Sequence, residues 1–337
     1  MHNLLDPAIL FFIFGVLAGA VKSNLEIPQP ISRFLGLYLL MALGLKGGFA
    51  LAHSGFTAQV ATSLGCAVLL AVAVPLLGYM LLRRVLSGFD AAAVAATFGS
   101  VSAVTFVTAV QTLENQQVVF GGYMSAAMAL MESPAIILAI VIANALRQQP
   151  ASGIAGTSGG AAVLVLPSSR QRVGVSFGKI LHESFTDGAQ LLLLGAMLIG
   201  ILSGDAGKAA MQPFSGDLFK GMLAFFLLDM GLLTARSLPQ LKGKSPWLLA
   251  YAVAGPLAHS SLALGLCAML NIPTGDAILL MVLAASASYI AVPAVMRHAI
   301  PEANPSLYFG LSLGITFPLN ILFGIPLYTY VAKALLG

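Results

Sequence analysis

The stretch Gly99-Ser100-Val101-Ser102-Ala103-Val104-Thr105 returns in near copy as Ala285-Ser286-Ala287-Ser288-Tyr289-Ile290-Ala291, and this repetition decides the fold. Each copy lies inside a long apolar run that opens on an aspartate, Asp90-Ala91-Ala92 and Asp276-Ala277-Ile278. One shift of 186 residues carries Asp90 onto Asp276, Ser100 onto Ser286 and Ser102 onto Ser288. The chain therefore reads as a duplication. Small hydroxyl residues midway along two corresponding membrane segments imply helices that break there, because an unwound turn at membrane depth is tolerated only where it lines a cavity or packs in protein. In the second copy Pro293 supplies the breaker. The first copy has no proline, so its break rests on Gly99 and the hydroxyls. Paired broken helices around a midplane site point to a secondary transporter.

Composition sets the class. Of 337 residues 58% are hydrophobic and 8% charged, with a mean hydropathy of +0.94, more apolar surface than one soluble core could hide. Apolar runs of helix-spanning length, in place of short alternating segments, predict an all-α integral membrane protein and not a β-barrel. Cys66 and Cys267 both fall inside apolar runs and are expected to pack, with no disulfide framework or metal site. The run from Ala8 to Val21 has neither a basic region before it nor a small-residue cleavage site after it, so it is expected to stay as the first helix. No constellation of His, Glu and Cys has triad or ligand spacing in a polar loop, so no enzyme is expected. Nor is a nucleic-acid partner.

Ten spans are expected, roughly residues 6–22, 31–52, 57–83, 90–112, 119–146, 184–203, 217–236, 246–270, 276–298 and 307–335. Residues 1–147 then form a first five-helix repeat, 148–182 a cytoplasmic linker rich in Gly, Ser and Ala, and 183–337 a second repeat. Two like halves with an odd number of spans enter the membrane from opposite sides, so the repeat is inverted. With the N-terminus outside, 12 of the 16 Lys and Arg residues fall in inner loops, which places both termini outside.

Four ionisable side chains interrupt apolar runs: Lys46, Glu132, Asp229 and His259. Each costs about 2.5–3.5 kcal/mol at the membrane centre on insertion scales, so each is a functional candidate. Lys46, before Gly47-Gly48, either snorkels to the outer interface or serves function. Glu132, midway along its span and before Ser133-Pro134, is expected to face the site or the repeat interface. Asp229 is a candidate partner of Lys46. His259 reads as a hydrogen-bonded packing residue. At the breaks, Gly99, Ser100, Val101, Ser102, Ala287, Ser288 and Tyr289 are the expected substrate-binding residues. The expected Na⁺ ligands are Ser102, Thr105, Glu132, Ser286 and Ser288. Half-helix N-termini suit a small anion, while hydroxyl and unwound carbonyl oxygens suit Na⁺.

The residues also resemble a known family, the cyanobacterial sodium-dependent bicarbonate transporters and their bacterial relatives. The resemblance covers nearly the whole chain. Its most telling parts are Phe98-Gly99-Ser100-Val101-Ser102, Met131-Glu132-Ser133-Pro134-Ala135, Ala143-Asn144, Met230-Gly231 and Ala284-Ala285-Ser286-Ala287-Ser288. The most specific is Ile300-Pro301-Glu302-Ala303-Asn304-Pro305-Ser306. The resemblance implies five-plus-five inverted spans in a bacterial inner membrane, a homotrimer, and Na⁺-coupled uptake of bicarbonate at crossing broken helices. It also implies a cytoplasmic regulatory partner related to the PII signalling proteins. Where the better-known members follow the second serine cluster with an acidic residue, this chain has Tyr289. The bulk there leaves a carrier of small organic acids as a second reading. A channel or sensor on the same fold is a third.

Overall fold

The structure is a computed structural model that describes residues 5–55, 57–148 and 188–337. The described residues form helices and connecting turns, with no strand among them. In chain order the helices are α1 (Pro7–Ala20), α2 (Gln29–Ser54), α3 (Ala58–Leu82), α4 (Gly88–Gly99), α5 (Ala103–Asn115) and α6 (Met124–Gln148). Then follow α7 (Gly188–Met211), α8 (Phe219–Ser237), α9 (Pro246–Met269), α10 (Thr274–Ala285), α11 (Ala291–Ala299) and α12 (Pro305–Leu336). Two π turns, Ser312–Thr316 and Asn320–Gly324, flank Pro318 inside α12, so this proline widens the helix without ending it. Of the expected linker 148–182, Gln148 is the last residue of α6 and residues 149–182 lie outside the described residues.

Seven described segments are long and apolar enough to cross a membrane by length and composition. Local chemistry starts several helices. Asp6 accepts the Ala8 N–H at 2.9 Å ahead of Pro7, Thr57 caps α3, Ser87 caps α4, and Asn304 accepts the Ser306 N–H at 3.0 Å ahead of α12.

The helices sort into two bundles. In one, α1 lies along α8 and α2 along α7; in the other, α3 packs on α4 and α6, and α9 on α10. Between helices in lipid there is no hydrophobic drive, so close backbone packing has to hold them. Gly15 meets Gly231 where α1 crosses α8, and Gly48 meets Gly200 where α2 crosses α7.

Contacts between the two halves come in pairs that follow the same shift. Arg147 clamps the Glu302 carboxylate at 2.8 and 2.7 Å, and Lys333 donates to Gln116 at 2.9 Å; both partners of the second pair stand 186 residues from those of the first. A second pair keeps the shift at its acceptors alone: Asp90 accepts the Asn304 N–H at 2.8 Å and Asp276, 186 residues on, accepts the Gly121 N–H at 2.6 Å. Each half thus ties down the other's loop before its last helix.

The Arg147 hydrogen bonds hold the Glu302 carboxyl below its ordinary value of 4.5. A depressed carboxyl contributes stability above the unfolded value and loses it as the pH falls through the folded one. Glu302→Gln should therefore lower the thermal midpoint at pH 7, and the difference from the parent should shrink as the pH falls below 4.5 through the folded value. A pH-independent difference in thermal scans would mean that the ion pair is not the cause. The pair is part-exposed, so the effect is small.

Candidate functional site

Of the apolar window in Gly88–Asn115, 94% is buried, against 22–67% for the other six candidate spans. This segment, α4 with α5, is the most enclosed of the seven, and it is broken at its middle. α4 ends at Gly99, Ser100 and Ser102 take extended backbone, and α5 restarts at Ala103. No side chain fits on Gly99: a Cβ there would stand 2.7 Å from Cδ of Pro75 on α3. Gly99 therefore serves close packing, without facing a ligand.

Ser102 makes the restart. Its Oγ accepts the Thr105 N–H at 3.2 Å and the Thr105 hydroxyl at 3.0 Å, capping α5. The second break is built alike. α10 ends at Ala285, Ser286 is extended, α11 begins at Ala291, and Ser288 Oγ accepts the Val292 N–H at 3.2 Å.

The two breaks touch. The Ser102 N–H donates to Ser286 Oγ at 3.0 Å, and the Ser288 N–H donates to the Thr97 carbonyl at 2.8 Å. Two carbonyl ends, of α4 and α10, and two N–H ends, of α5 and α11, are thereby gathered at one buried point. Symmetry fails in one detail: Ser100 Oγ turns away and donates to the Glu132 carbonyl on α6 at 3.2 Å.

Beside this crossing lies a cavity of about 250 Å³. Of the expected residues, Val101, Ser102, Glu132, Ser288 and Tyr289 line it. Gly99, Ser100, Thr105, Ser286 and Ala287 do not; Ser100, Thr105, Ser286 and Ala287 are buried in the packing behind it. A helix break marks where the backbone opens but not which neighbour faces the opening, so sequence spacing could not separate these two groups. The cavity also takes Gln190, near the start of α7, which exchanges weak hydrogen bonds with Ser133 at 3.4–3.5 Å. Sequence reasoning missed Gln190, whose polarity at a helix end looks ordinary. Among the described residues no group of three or more His, Cys, Asp or Glu could hold a metal ion. Any cation here is held by hydroxyl, carbonyl and single carboxylate oxygens.

Tyr289 is held edge-on to the Phe317 ring at 5.1 Å, with its hydroxyl 3.6 Å from Met230 Sδ. Its side chain joins α12 and α8 to the crossing.

The expected partnership of Lys46 with Asp229 does not form. Lys46 Nζ lies 3.1 and 3.2 Å from the two Glu114 oxygens, at the far end of α5, and 4.2 Å from the Phe219 ring centroid. Asp229 instead accepts a hydrogen bond from Ser32 on α2. Both acids lie on helices that flank α2, but opposite ends of α2 meet them, which one-dimensional spacing does not reveal. His259 is buried and hydrogen-bonds to the Ala284 backbone, one residue short of the end of α10.

Asn320 was not foreseen either. Its amide donates to the Ala285 carbonyl at 2.8 Å, the last of α10, and its Oδ1 accepts the Tyr328 hydroxyl at 3.0 Å. It is fully buried in a π turn of α12. Asn320→Leu takes the amide donor from the Ala285 carbonyl and the acceptor from the Tyr328 O–H, at about 1–3 kcal/mol each. A drop in detergent-solution thermal midpoint is expected, rescued in part by adding Tyr328→Phe. Lack of any rescue would show the two hydrogen bonds to be uncoupled.

The chain is similar over residues 7–333 to the model of one protein family, described as the Na⁺-dependent bicarbonate transporter superfamily. Comparison with curated proteins returned no match.

Proposed function

Since the chain belongs to the Na⁺-dependent bicarbonate transporter superfamily, a family of transporters and not of enzymes, we propose that it is a secondary symporter that moves bicarbonate or a similar small anion into a bacterial cell with Na⁺. The observation that carries this reading is the buried contact between the two helix breaks beside a cavity, Ser102 N–H to Ser286 Oγ and Ser288 N–H to Thr97 carbonyl. At that point the Ala103 and Val104 N–H groups of α5 and the Ala291 N–H of α11 have no carbonyl partner in their own helices, the Thr105 and Val292 N–H groups being taken by Ser102 and Ser288, and the helix dipoles favour an anion. Ser288 Oγ accepts one backbone N–H, which leaves its O–H to donate to the anion and one lone pair for a cation.

Na⁺ takes the oxygen side. Thr105 Oγ1, Ser286 Oγ, Ser288 Oγ and the Glu132 carboxylate are the candidate ligands, with the carbonyl ends of α4 and α10; Ser102 Oγ, which already accepts both the Thr105 N–H and the Thr105 hydroxyl, has only its O–H donor to give. A cation there attracts the anion beside it, so each binds better in the presence of the other, which is the basis of coupling. With one Na⁺ per monovalent anion the cycle moves no net charge, and an imposed membrane potential has little effect. A second Na⁺ would add about 2.3 kcal/mol per 100 mV.

Ten spans in two inverted five-helix repeats, with both termini outside, are the architecture of this proposal. The contacts exchanged by a 186-residue shift support it, as do the matched Gly15–Gly231 and Gly48–Gly200 crossings. A homotrimer and a PII-like cytoplasmic partner follow from the family resemblance and complete the picture.

The test is uptake into proteoliposomes holding the full chain. Labelled anion should accumulate with an inward Na⁺ gradient and fall at least ten-fold when choline replaces Na⁺ at constant pH and potential. Uptake that is indifferent to the replacement would remove symport and favour a channel.

A further inference from the structure

We infer that the anion taken at the crossing is a short-chain monocarboxylate, its carboxylate at the two breaks and its hydrocarbon tail against the cavity wall. This rests on the anion-symport reading above and narrows its substrate class.

The first argument is size. A cavity of about 250 Å³ holds roughly eight waters at about 30 Å³ each. An inorganic anion of four heavy atoms would leave most of that space to water. The second argument is what the wall is made of. Its polar groups are few: Ser102, Ser288 and Tyr289 at the breaks, with Glu132 and Gln190. The remaining wall is hydrocarbon from five helices, including Leu40 of α2, Val104 of α5, Met128 and Ile136 of α6, Leu193 of α7 and Val295 of α11.

Bicarbonate is polar on every side. Against such a wall it gives up hydration on its far oxygens and gains no donor in return, which is costly for a charged group. A monocarboxylate offers the same two-oxygen anionic head and an apolar remainder. Each methylene then removes apolar surface from water in both ligand and wall. A dicarboxylate is disfavoured because, among the described residues, no Lys, Arg or His lines the cavity to meet a second charge. Tyr289 works in the same direction, since it adds ring surface to the wall.

The experiment is Na⁺-driven uptake by the full chain in proteoliposomes, comparing labelled bicarbonate with acetate, propionate, butyrate and hexanoate. Parallel Na⁺-free vesicles subtract passive entry of the protonated acids. Apparent affinity should rise about three- to four-fold per methylene from acetate to butyrate and fall once the tail outgrows the cavity. Bicarbonate should be taken up at least ten-fold less efficiently than the best acid. Val295→Phe should move the optimum to a shorter chain. Efficient bicarbonate uptake with no dependence on chain length would overturn this inference and leave the symport reading standing. Absence of Na⁺-dependent uptake for every anion in the series would overturn both.

Discussion

Ser288→Ala and Ser102→Ala are each expected to cut Na⁺-driven anion uptake at least ten-fold. Both serines line the cavity and are almost fully buried, at 3% and 4% exposure, so what they offer a ligand is offered in a dry environment. A hydrogen bond to a charged partner is worth about 1.5–3 kcal/mol there, which is one to two orders of magnitude in affinity. The same substitutions remove a helix cap, since Ser102 holds the Thr105 N–H and Ser288 the Val292 N–H. That loss costs about 1 kcal/mol of stability. Transport should thus fall much further than the yield of folded protein. Ser100→Ala is the comparison: its hydroxyl serves the Glu132 carbonyl and lies off the cavity, so uptake should stay within about three-fold of the parent. Uptake by both Ser102→Ala and Ser288→Ala within two-fold of the parent, at equal membrane levels, would return these serines to mere packing.

The largest structural effect is expected from Gly231→Leu, which should abolish accumulation of folded protein. A Cβ at Gly231 would stand 2.9 Å from the Val16 nitrogen and 3.0 Å from the Gly15 Cα. Both are backbone atoms of α1, so relief demands that α1 and α8 separate along their shared length. Overpacking of this kind costs about 3 kcal/mol or more, and no hydrophobic drive in lipid restores the lost contact. Gly48→Leu should behave likewise, because its Cβ would fall 2.9 Å from the Gly200 Cα across the α2–α7 crossing. The control is Gly221→Leu on the same helix as Gly231, where nothing lies within 4 Å of an added Cβ. Size-exclusion profiles of detergent extracts distinguish the cases. Monodisperse Gly231→Leu at parental yield would show that the glycine contact is dispensable.

Much of the architecture could be read from the chain because it depends on local features. Apolar runs of spanning length give helices in any membrane setting. Hydroxyl-rich turns at Gly99–Ser102 and Ser286–Ser288 weaken a helix wherever they occur, and the structure ends α4 and α10 there. The duplication is a property of the string itself, and its 186-residue shift reappears in space as the Arg147–Glu302 and Lys333–Gln116 contacts.

What the tertiary structure alone decided is which of the broken residues face the cavity and what surrounds them. At a break the backbone leaves its helical path, so the 3.6-residue rule that assigns side chains to faces no longer applies. Ser102 and Ser288 look into the cavity while Ser100, Ser286 and Thr105 support it from behind. Lys46 found Glu114 and not Asp229, while Asn320 reached the last carbonyl of α10 and Gln190 the cavity from helices remote in sequence. These outcomes depend on how the two bundles dock. The sequence determined the helices, their duplication and their breaks through short-range chemistry; the cavity, its partners and its largely hydrocarbon wall exist only once helices far apart in the chain are packed side by side.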